Sequence, residues 1–257
     1  MNIQKIRIEL EKIRDTGWHP ASHHHDGGVG NTLETLLKIA ENNLKGPDLG
    51  TYELKTQRVN ARGKTASLLT LKHIEPKPAA VVPNILIPLF GWQHTKQGAT
   101  SSTNLSFRHT FRANQFTGRG FSARLDRRQN RLIFIFEPTM VDSKNEAWLK
   151  SLSGSRLQSM PPIYWDLTEM MDAFQGKLKN CISVSAESRK DPKSNREEYR
   201  YQKMQVMHGF DSDLALSAID SGVIRIEFDA STNHNHGTKF RIPRELVSSL
   251  YKSCEEI

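Results

Sequence analysis

The sequence predicts a mixed fold of helices and strands, α/β or α+β, with a lobe that splits off near the middle of the chain. Three observations lead to this prediction. Some segments carry apolar residues at helical spacing, whereas others are short runs typical of strands. The two kinds of segment do not alternate regularly, which disfavours a series of βα units. Residues 76–104 hold several prolines and many Ser, Thr and Gln, so we expect an excursion from the core.

The individual elements follow from apolar spacing and from the positions of Gly and Pro. Gly17 ends the first helix, Gly222 closes a short later one, and Pro243 suits the first turn of the last helix, where a missing N–H costs nothing. Helices are predicted at 3–14, 32–44, 166–178, 213–220 and 243–256. Strands are predicted at 51–56, 66–72, 131–137, 181–187 and 223–229. A loop rich in His and Gly is predicted at 18–30, a charged turn at 189–198 and a polar loop at 234–238.

The composition favours a polyanionic partner. Lys and Arg number 36 against 28 for Asp and Glu, which gives a net charge of +8. Nucleic acid is the first expectation and an acidic membrane the second. The chain has neither a long apolar run nor a signal-peptide core, so we expect a soluble cytoplasmic protein with no membrane partner. Its two cysteines, Cys181 and Cys254, form no CxxC pair, which argues against structural zinc and a disulfide framework.

The most informative segment runs from Asp48 to Lys55. Asp48 lies at a turn, and Glu53 and Lys55 follow on an alternating strand. Because side chains two apart on a strand point the same way, Glu53 and Lys55 share one face. Two carboxylates beside an ammonium suit a Mg²⁺ ion that also binds a substrate phosphate. The same residues also fit an ordinary turn followed by a solvated strand.

A second candidate feature is an arginine-rich segment between Arg108 and Arg131. It holds seven arginines, Arg119 among them, and a single acid, Asp126. Arginine suits bidentate contacts with phosphate and with guanine, so this segment predicts contact with DNA. The alternative is a basic hairpin whose phenylalanines pack in the core.

Three further features that contain histidine or glutamate are candidates for a functional role. His23 to His25 fit a metal-binding tract, although a flexible polar loop fits better. Glu34 either caps a helix together with Asn31 or supports the metal site. His73 lies beside the carboxylates if its strand forms a hairpin with that of Glu53, and it could then bind the scissile phosphate or shuttle a proton.

The segment 234–241 is a candidate for reading DNA bases. His234, Asn235, His236 and Arg241 can all form hydrogen bonds to base edges, whereas the same polar residues also suit a turn. Motifs for acyl transfer, ATP binding, dinucleotide binding and zinc proteolysis are absent from the sequence.

In their order and spacing these segments resemble the MvaI/BcnI type of restriction endonuclease, whose core is shared with the nicking enzyme MutH. The resemblance runs nearly end to end. The similar segments are 17–18, 28–34, 41–43, 48–50, 53–55, 67–71, 185–188, Gly237 and 241–242. The segment 48–55 is similar to the metal-binding motif of the PD-(D/E)xK nucleases.

The resemblance implies a PD-(D/E)xK core with a central mixed sheet flanked by helices, and a MutH-like two-lobed cleft. Residues 1–75 with 130–190 would form the catalytic lobe, and 76–129 with 200–257 the DNA-recognition lobe. Such a protein would be a monomeric type II enzyme that cuts duplex DNA with Mg²⁺ at a short C/G-rich, CCNGG-like site. A cognate DNA methyltransferase would accompany it in the host.

The resemblance also implies roles for individual residues. Asp48 and Glu53 would bind the metal, Lys55 would position the attacking water, and Glu34 would support the site. One branch of the family has a histidine at the place of His73. The loop 234–236 would enter the major groove, with Arg119 and Arg241 as further DNA contacts. The family usually has His-Asp where this chain has His234-Asn235. An Asp can only accept a hydrogen bond whereas an Asn can also donate one, so the resemblance does not fix the bases read there.

Two other functions fit the same residues. One is a MutH-like repair endonuclease that nicks a single strand. The other is a DNA-binding protein that uses this fold without catalysis, which the complete set of Asp48, Glu53 and Lys55 disfavours.

Overall fold

The structure, a computed structural model, describes residues 3–22, 27–39, 47–59, 68–93 and 104–257. The chain forms two compact units. The first consists of Met1–Leu68, Phe174–Ser212 and Arg244–Ile257, and the second of Leu69–Ala173 and Asp213–Pro243. Both contain helices and sheets, so the predicted mixed fold is confirmed. No helix in the described ranges is long and apolar enough to cross a membrane.

The elements are numbered in chain order. The helices are α1 (Ile3–Thr16), α2 (Gly28–Leu36), α3 (Ile87–Phe90), α4 (Glu146–Ser151), α5 (Gly154–Gln158), α6 (Leu167–Leu178) and α7 (Ser212–Asp220). The strands are β1 (Trp18–Pro20), β2 (Tyr52–Val59), β3 (Leu68–His73), β4 (Trp92–Gln93), β5 (Leu105–Phe111), β6 (Arg119–Asp126), β7 (Arg131–Val141), β8 (Tyr164–Asp166), β9 (Asn180–Lys190), β10 (Glu197–Phe210), β11 (Arg225–Ser231), β12 (His234–Pro243) and β13 (Tyr251–Glu256). A π-helical turn spans Val82–Leu86, and 3₁₀ helices span Ser143–Asn145 and Arg244–Leu250.

The first unit is built on a five-stranded sheet. Its strands run in the order β1-β10-β9-β2, and β13 pairs with the second half of β10. Strand β2 is parallel to β9, while β1, β9 and β13 are antiparallel to β10. Helices α1 and α2 bury their apolar stripes against one face of this sheet, which carries Leu54, Ile182 and Val184. The opposite face is therefore the one that carries Glu53 and Lys55.

The second unit contains two sheets and an aromatic core. The strand orders are β3-β12-β11-β5-β4 and β6-β7-β8. Phe107, Phe121, Phe134 and Phe228 are buried with ring centroids within 6 Å of a neighbouring ring. The phenylalanines of β5 and β6 thus pack in the core, as the alternative interpretation of the arginine-rich segment predicted. Because β5 pairs with β11, the hairpin in this segment is formed by β6 and β7.

The division into units differs from the predicted lobes. Strand β7, predicted with the catalytic lobe, belongs to the second unit because it pairs with β6 and β8. Strands β10 and β13, predicted with the recognition lobe, belong to the first unit because they complete its sheet. The predicted segment 130–190 is itself divided inside α6, because residues up to Ala173 belong to the second unit and those from Phe174 belong to the first.

The helix predicted at 243–256 is wrong. Residues Arg244–Leu250 form a 3₁₀ helix, and β13 follows it at once. β13 pairs with β10 from Gln205 to Phe210, and Tyr251 is buried with its ring 5.8 Å from that of Phe210. An available sheet edge thus overrides the local helical spacing of Val247 and Leu250. The polar loop predicted at 234–238 is also wrong, because these residues begin β12.

Candidate active site and DNA-contacting residues

The turn before β2 holds the Asp48 carboxylate against the strand. Leu49 and Tyr52 exchange backbone hydrogen bonds of 2.8 and 3.2 Å, and Gly50 takes the left-handed φ of +69° that the turn requires. Asp48 Oδ2 then accepts a hydrogen bond of 3.0 Å from the backbone N–H of Leu54. This hydrogen bond holds the Asp48 carboxylate at the backbone of Leu54, the residue that follows Glu53.

Glu53 is a buried carboxylate held by two ammonium groups. Its side chain is 2% exposed, and its Oε1 lies 2.5 Å from Lys55 Nζ and 3.2 Å from Lys177 Nζ. Glu53 and Lys55 share one face of β2, as predicted. Within the described part of the chain, Glu53 Oε2 has no hydrogen-bond partner. A buried carboxylate oxygen without a partner is costly unless another group binds it.

The donor set fits Mg²⁺. This ion keeps several waters and is usually bound by one or two carboxylates together with substrate phosphate. Asp48 and Glu53 supply two carboxylates, and Glu53 Oε2 is an oxygen still available for a ligand bond. No group of three His, Cys, Asp or Glu residues suited to a metal occurs in the described ranges, so a site built from protein ligands alone is not seen there.

Two neutral side chains, those of Cys181 and Tyr251, lie near Glu53. Cys181 faces Glu53 across the parallel β2–β9 pair, and burial raises the pKa of its thiol to about 12. Burial likewise raises the pKa of the neighbouring Tyr251 hydroxyl. Neither group ionises near neutral pH, so neither competes with Glu53 as an anion.

A buried arginine braces the same face farther along β2. Arg244 donates to Gln57 Oε1 at 2.7 Å and to Ser183 Oγ at 2.9 Å. Burial lowers its pKa to about 10, which still leaves the guanidinium charged at neutral pH. The contacts tie the 3₁₀ helix to β2 and β9, and they fix the strands that carry Glu53 and Lys55.

Glu34 does not belong to a helix cap. Helix α2 begins at Gly28, and its N-cap, Gly27, makes no side-chain capping bond. Asn31 thus lies inside the helix, so the capping interpretation is wrong. Val29 and Leu33 are buried on one stripe, which extends the helix toward the N-terminus. Glu34 lies on the helix that covers the Leu54 face of the sheet, near Tyr201, whose pKa is raised by burial first and by the Glu34 charge as a smaller cause.

The hairpin that would place His73 beside the carboxylates does not form. β3 pairs with β12 in the second unit, whereas β2 pairs with β9 in the first. His73 is exposed and lies beside Gly237, where an added Cβ would be 3.3 Å from its Nδ1. Sequence spacing suggested the wrong partner strand because β3 follows β2 directly along the chain.

The candidate base-reading residues lie on the β11–β12 hairpin. His234, Asn235 and His236 are exposed, and the two imidazole rings stack with centroids 5.7 Å apart. Asn235 Oδ1 accepts a 2.9 Å hydrogen bond from the backbone N–H of Gly237, which has a φ of +80°. The Asn235 Nδ2 group remains a potential donor to a ligand.

Arg241 is part of a charged ladder that the sequence analysis missed. Its Nη1 lies 2.6 Å from Glu227 Oε2, and Lys239 Nζ lies 2.5 Å from Asp229 Oδ2. Arg108 also pairs with Asp229, at 3.1 Å. The signal was present, because Glu227 and Asp229, like Lys239 and Arg241, are spaced by two and so share one face of each strand.

Arg119 packs between two tryptophans. Its guanidinium carbon lies 4.3 Å from the centre of the Trp92 ring and 4.7 Å from that of Trp148. Burial lowers its pKa. Arg124, Arg127 and Arg128, on or next to the β6–β7 turn, are exposed and are better placed to meet phosphate. These ring contacts hold the Arg119 guanidinium in place, and its role as a DNA contact stays a prediction.

Two other predicted features lie outside the described residues. They are the histidine tract 23–25 and the segment 41–43. Lys177, by contrast, was missed although a signal existed. It lies in the last turn of α6 just before β9, the strand that pairs with β2.

Comparison with known proteins identifies relatives over nearly the whole chain. The sequence model of the MvaI/BcnI restriction endonuclease family matches residues 8–251. A solved complex of restriction endonuclease MvaI with its cognate DNA substrate is similar at 21% identity and a TM-score of 0.76, with 100% of this chain and 99% of that chain covered. MvaI in the absence of DNA is similar at 21% identity and a TM-score of 0.55, with 100% and 98% covered. No curated protein matches the chain.

Proposed function

Because this chain belongs to the MvaI/BcnI restriction endonuclease family, we propose that it is a type II restriction endonuclease that hydrolyses duplex DNA at a short C/G-rich, CCNGG-like site with Mg²⁺. The observation that carries the proposal is the buried Glu53 carboxylate, with Lys55 on the same strand face and Asp48 fixed beside it. A purely structural ion pair would not explain why Glu53 Oε2 is buried without a hydrogen-bond partner in the described part of the chain.

Each residue of the site has a distinct task in this reaction. Asp48 and Glu53 would hold the ion, which when bound lowers the pKa of a water and stabilises charge on the phosphorus. The Lys55 ammonium orients the attacking water and offsets negative charge in the transition state. The buried, neutral side chains of Cys181 and Tyr251 lower the local dielectric constant, which strengthens the electrostatic interactions of Glu53 and Lys55. No covalent intermediate is needed.

Recognition is assigned to the second unit. His234, Asn235 and His236 present exposed donors and acceptors, which suit base edges in the major groove. Arg241 and its partner Glu227 lie farther along the same hairpin. Arg124, Arg127 and Arg128 suit phosphate contacts, which hold the protein on the duplex without reading its sequence. His73 and Glu34 are kept as candidates for supporting roles, to be tested by substitution.

The wider biology follows from the chemistry. We propose a monomer, which with one set of Asp48, Glu53 and Lys55 would cut one strand at a time. An enzyme that cuts short sites in duplex DNA endangers its own host, so we propose a cognate DNA methyltransferase as its partner in a cytoplasmic restriction system.

Incubation of supercoiled plasmid and a long linear DNA with the purified protein and Mg²⁺ tests the proposal. We expect linear plasmid, discrete fragments and sequenced ends that all fall within one short C/G-rich site, and no cleavage in EDTA. Plasmid that is only nicked would instead support the MutH-like repair enzyme. Salt-dependent DNA binding without cleavage would support a non-catalytic DNA-binding protein.

A further inference from the structure

We propose that Lys177 is a positioning residue that holds Glu53 in the metal-free protein and competes with the divalent cation for it. The inference rests on the proposed function, because it takes Asp48 and Glu53 as the metal ligands. Lys177 Nζ lies 3.2 Å from Glu53 Oε1, the oxygen that also receives Lys55 Nζ at 2.5 Å. One buried oxygen thus carries two ammonium groups.

The charges of the two carboxylates and the two lysines balance only without the ion. Asp48 and Glu53 contribute two negative charges, and Lys55 and Lys177 contribute two positive charges, so the formal sum of the four groups is zero. A divalent cation raises this sum to two positive charges in a buried place. The phosphodiester of DNA supplies negative charge in return. Lys177 therefore weakens metal binding in the absence of DNA and couples it to the arrival of the substrate.

Of the two lysines, Lys177 is the one able to leave. Lys55 lies on β2 itself, is 18% exposed and is the closer partner of Glu53. Lys177 is 25% exposed and reaches Glu53 from the end of α6 on a flexible four-carbon stem. When a cation takes Glu53, the Lys177 ammonium can turn toward solvent or toward a DNA phosphate. The C-terminal end of α6 stabilises the Lys177 ammonium whether or not it contacts Glu53.

Mn²⁺ binding without DNA tests this role directly, since Mn²⁺ prefers the same oxygen ligands as Mg²⁺. Free Mn²⁺ is measured by electron paramagnetic resonance during titration of the full chain. We expect Lys177→Met and Lys177→Gln to bind Mn²⁺ about tenfold more tightly than the unsubstituted protein, because a positive charge that contacts Glu53 in the metal-free protein is removed. Lys179→Met is the matched control, since Lys179 is an exposed lysine two residues away. It should change the affinity less than twofold.

The outcomes separate the inference from the proposed function. Glu53→Gln should abolish Mn²⁺ binding, and its failure to do so would remove the metal site itself. If Glu53→Gln abolishes binding while both Lys177 variants bind Mn²⁺ no more tightly than Lys179→Met, the competition by Lys177 is refuted and the metal site stands. Thermal unfolding of each variant confirms that it is folded. The two Lys177 substitutions differ in polarity, so a gain shared by both reports the lost charge.

Discussion

In the proposed function, single side chains determine both the chemistry and the specificity of this protein. The period of two on β2 is sufficient to predict that Glu53 and Lys55 meet, because it depends only on local backbone geometry. Lys177 and Glu227 need more than this local rule. Lys177 reaches Glu53 from α6, and Glu227 meets Arg241 across the β11–β12 pair, so both contacts depend on how the elements pack.

Asn235 offers a test of base reading that leaves the fold intact. Its Oδ1 accepts the N–H of Gly237, and an Asp at this position can make the same hydrogen bond. Asn235→Asp therefore keeps this hydrogen bond but exchanges a donor for an acceptor and adds a negative charge, which gives the His-Asp pair that the family resemblance implies. We expect the preference at one recognised base pair to change by about 1–3 kcal/mol.

Cleavage rates on a panel of sites with single base changes measure this shift. Asn233→Asp is the matched control, because Asn233 lies in the adjacent turn and contacts Asn104. An unchanged preference in Asn235→Asp, or an equal change in both variants, would exclude Asn235 as a base-reading residue.

Strands and helices were predicted correctly where apolar periodicity determines the element, and wrongly where strand pairing determines it. Helices α1 and α6 and strands β7 and β9 lie where they were predicted, because their apolar spacing matches the face they bury. β10 was missed although it is 14 residues long. Its charged and apolar residues alternate irregularly, and a register shift between Tyr201 and Met204 interrupts the period of two.

Strand β5 carries a histidine that should make stability depend on pH. Burial, and to a smaller extent the Arg119 charge, lowers the pKa of His109 to about 4, from 6.5. The folded protein thus holds His109 neutral, while the unfolded chain binds a proton below pH 6.5. This contribution to the free energy of unfolding is complete above pH 6.5 and is lost as the pH falls toward 4.

His109→Gln should flatten this dependence, since Gln can keep the hydrogen bond to Thr117 but does not titrate. Between pH 7 and pH 4, we expect the free energy of unfolding to fall by about 3 kcal/mol more in the unsubstituted protein than in the variant. Denaturant titration at each pH measures it. His236→Gln, at an exposed histidine of the same unit, is the control. Equal pH profiles for His109→Gln and the unsubstituted protein would contradict the buried neutral histidine.

For the whole chain, the net charge of +8 and the family match over residues 8–251 both support DNA as the partner. The units could not be delimited from the sequence, because each is assembled from separated segments. The predicted boundaries were placed where the composition of the chain changes. The observed boundaries depend instead on which strands pair within each sheet. The resemblance succeeded over this range because it rests on the order of many short motifs.

Asp48, Glu53 and Lys55 are proposed to form the catalytic centre of a DNA endonuclease. The most direct test compares cleavage and binding in Glu53→Ala, with Glu11→Ala, an exposed glutamate on α1, as the control. Plasmid cleavage with Mg²⁺ and fluorescence anisotropy on duplex DNA in EDTA are measured for each. We expect Glu53→Ala to lose cleavage by at least about a thousandfold while its metal-free DNA affinity stays within about threefold. Cleavage by Glu53→Ala at the unsubstituted rate would contradict the assignment.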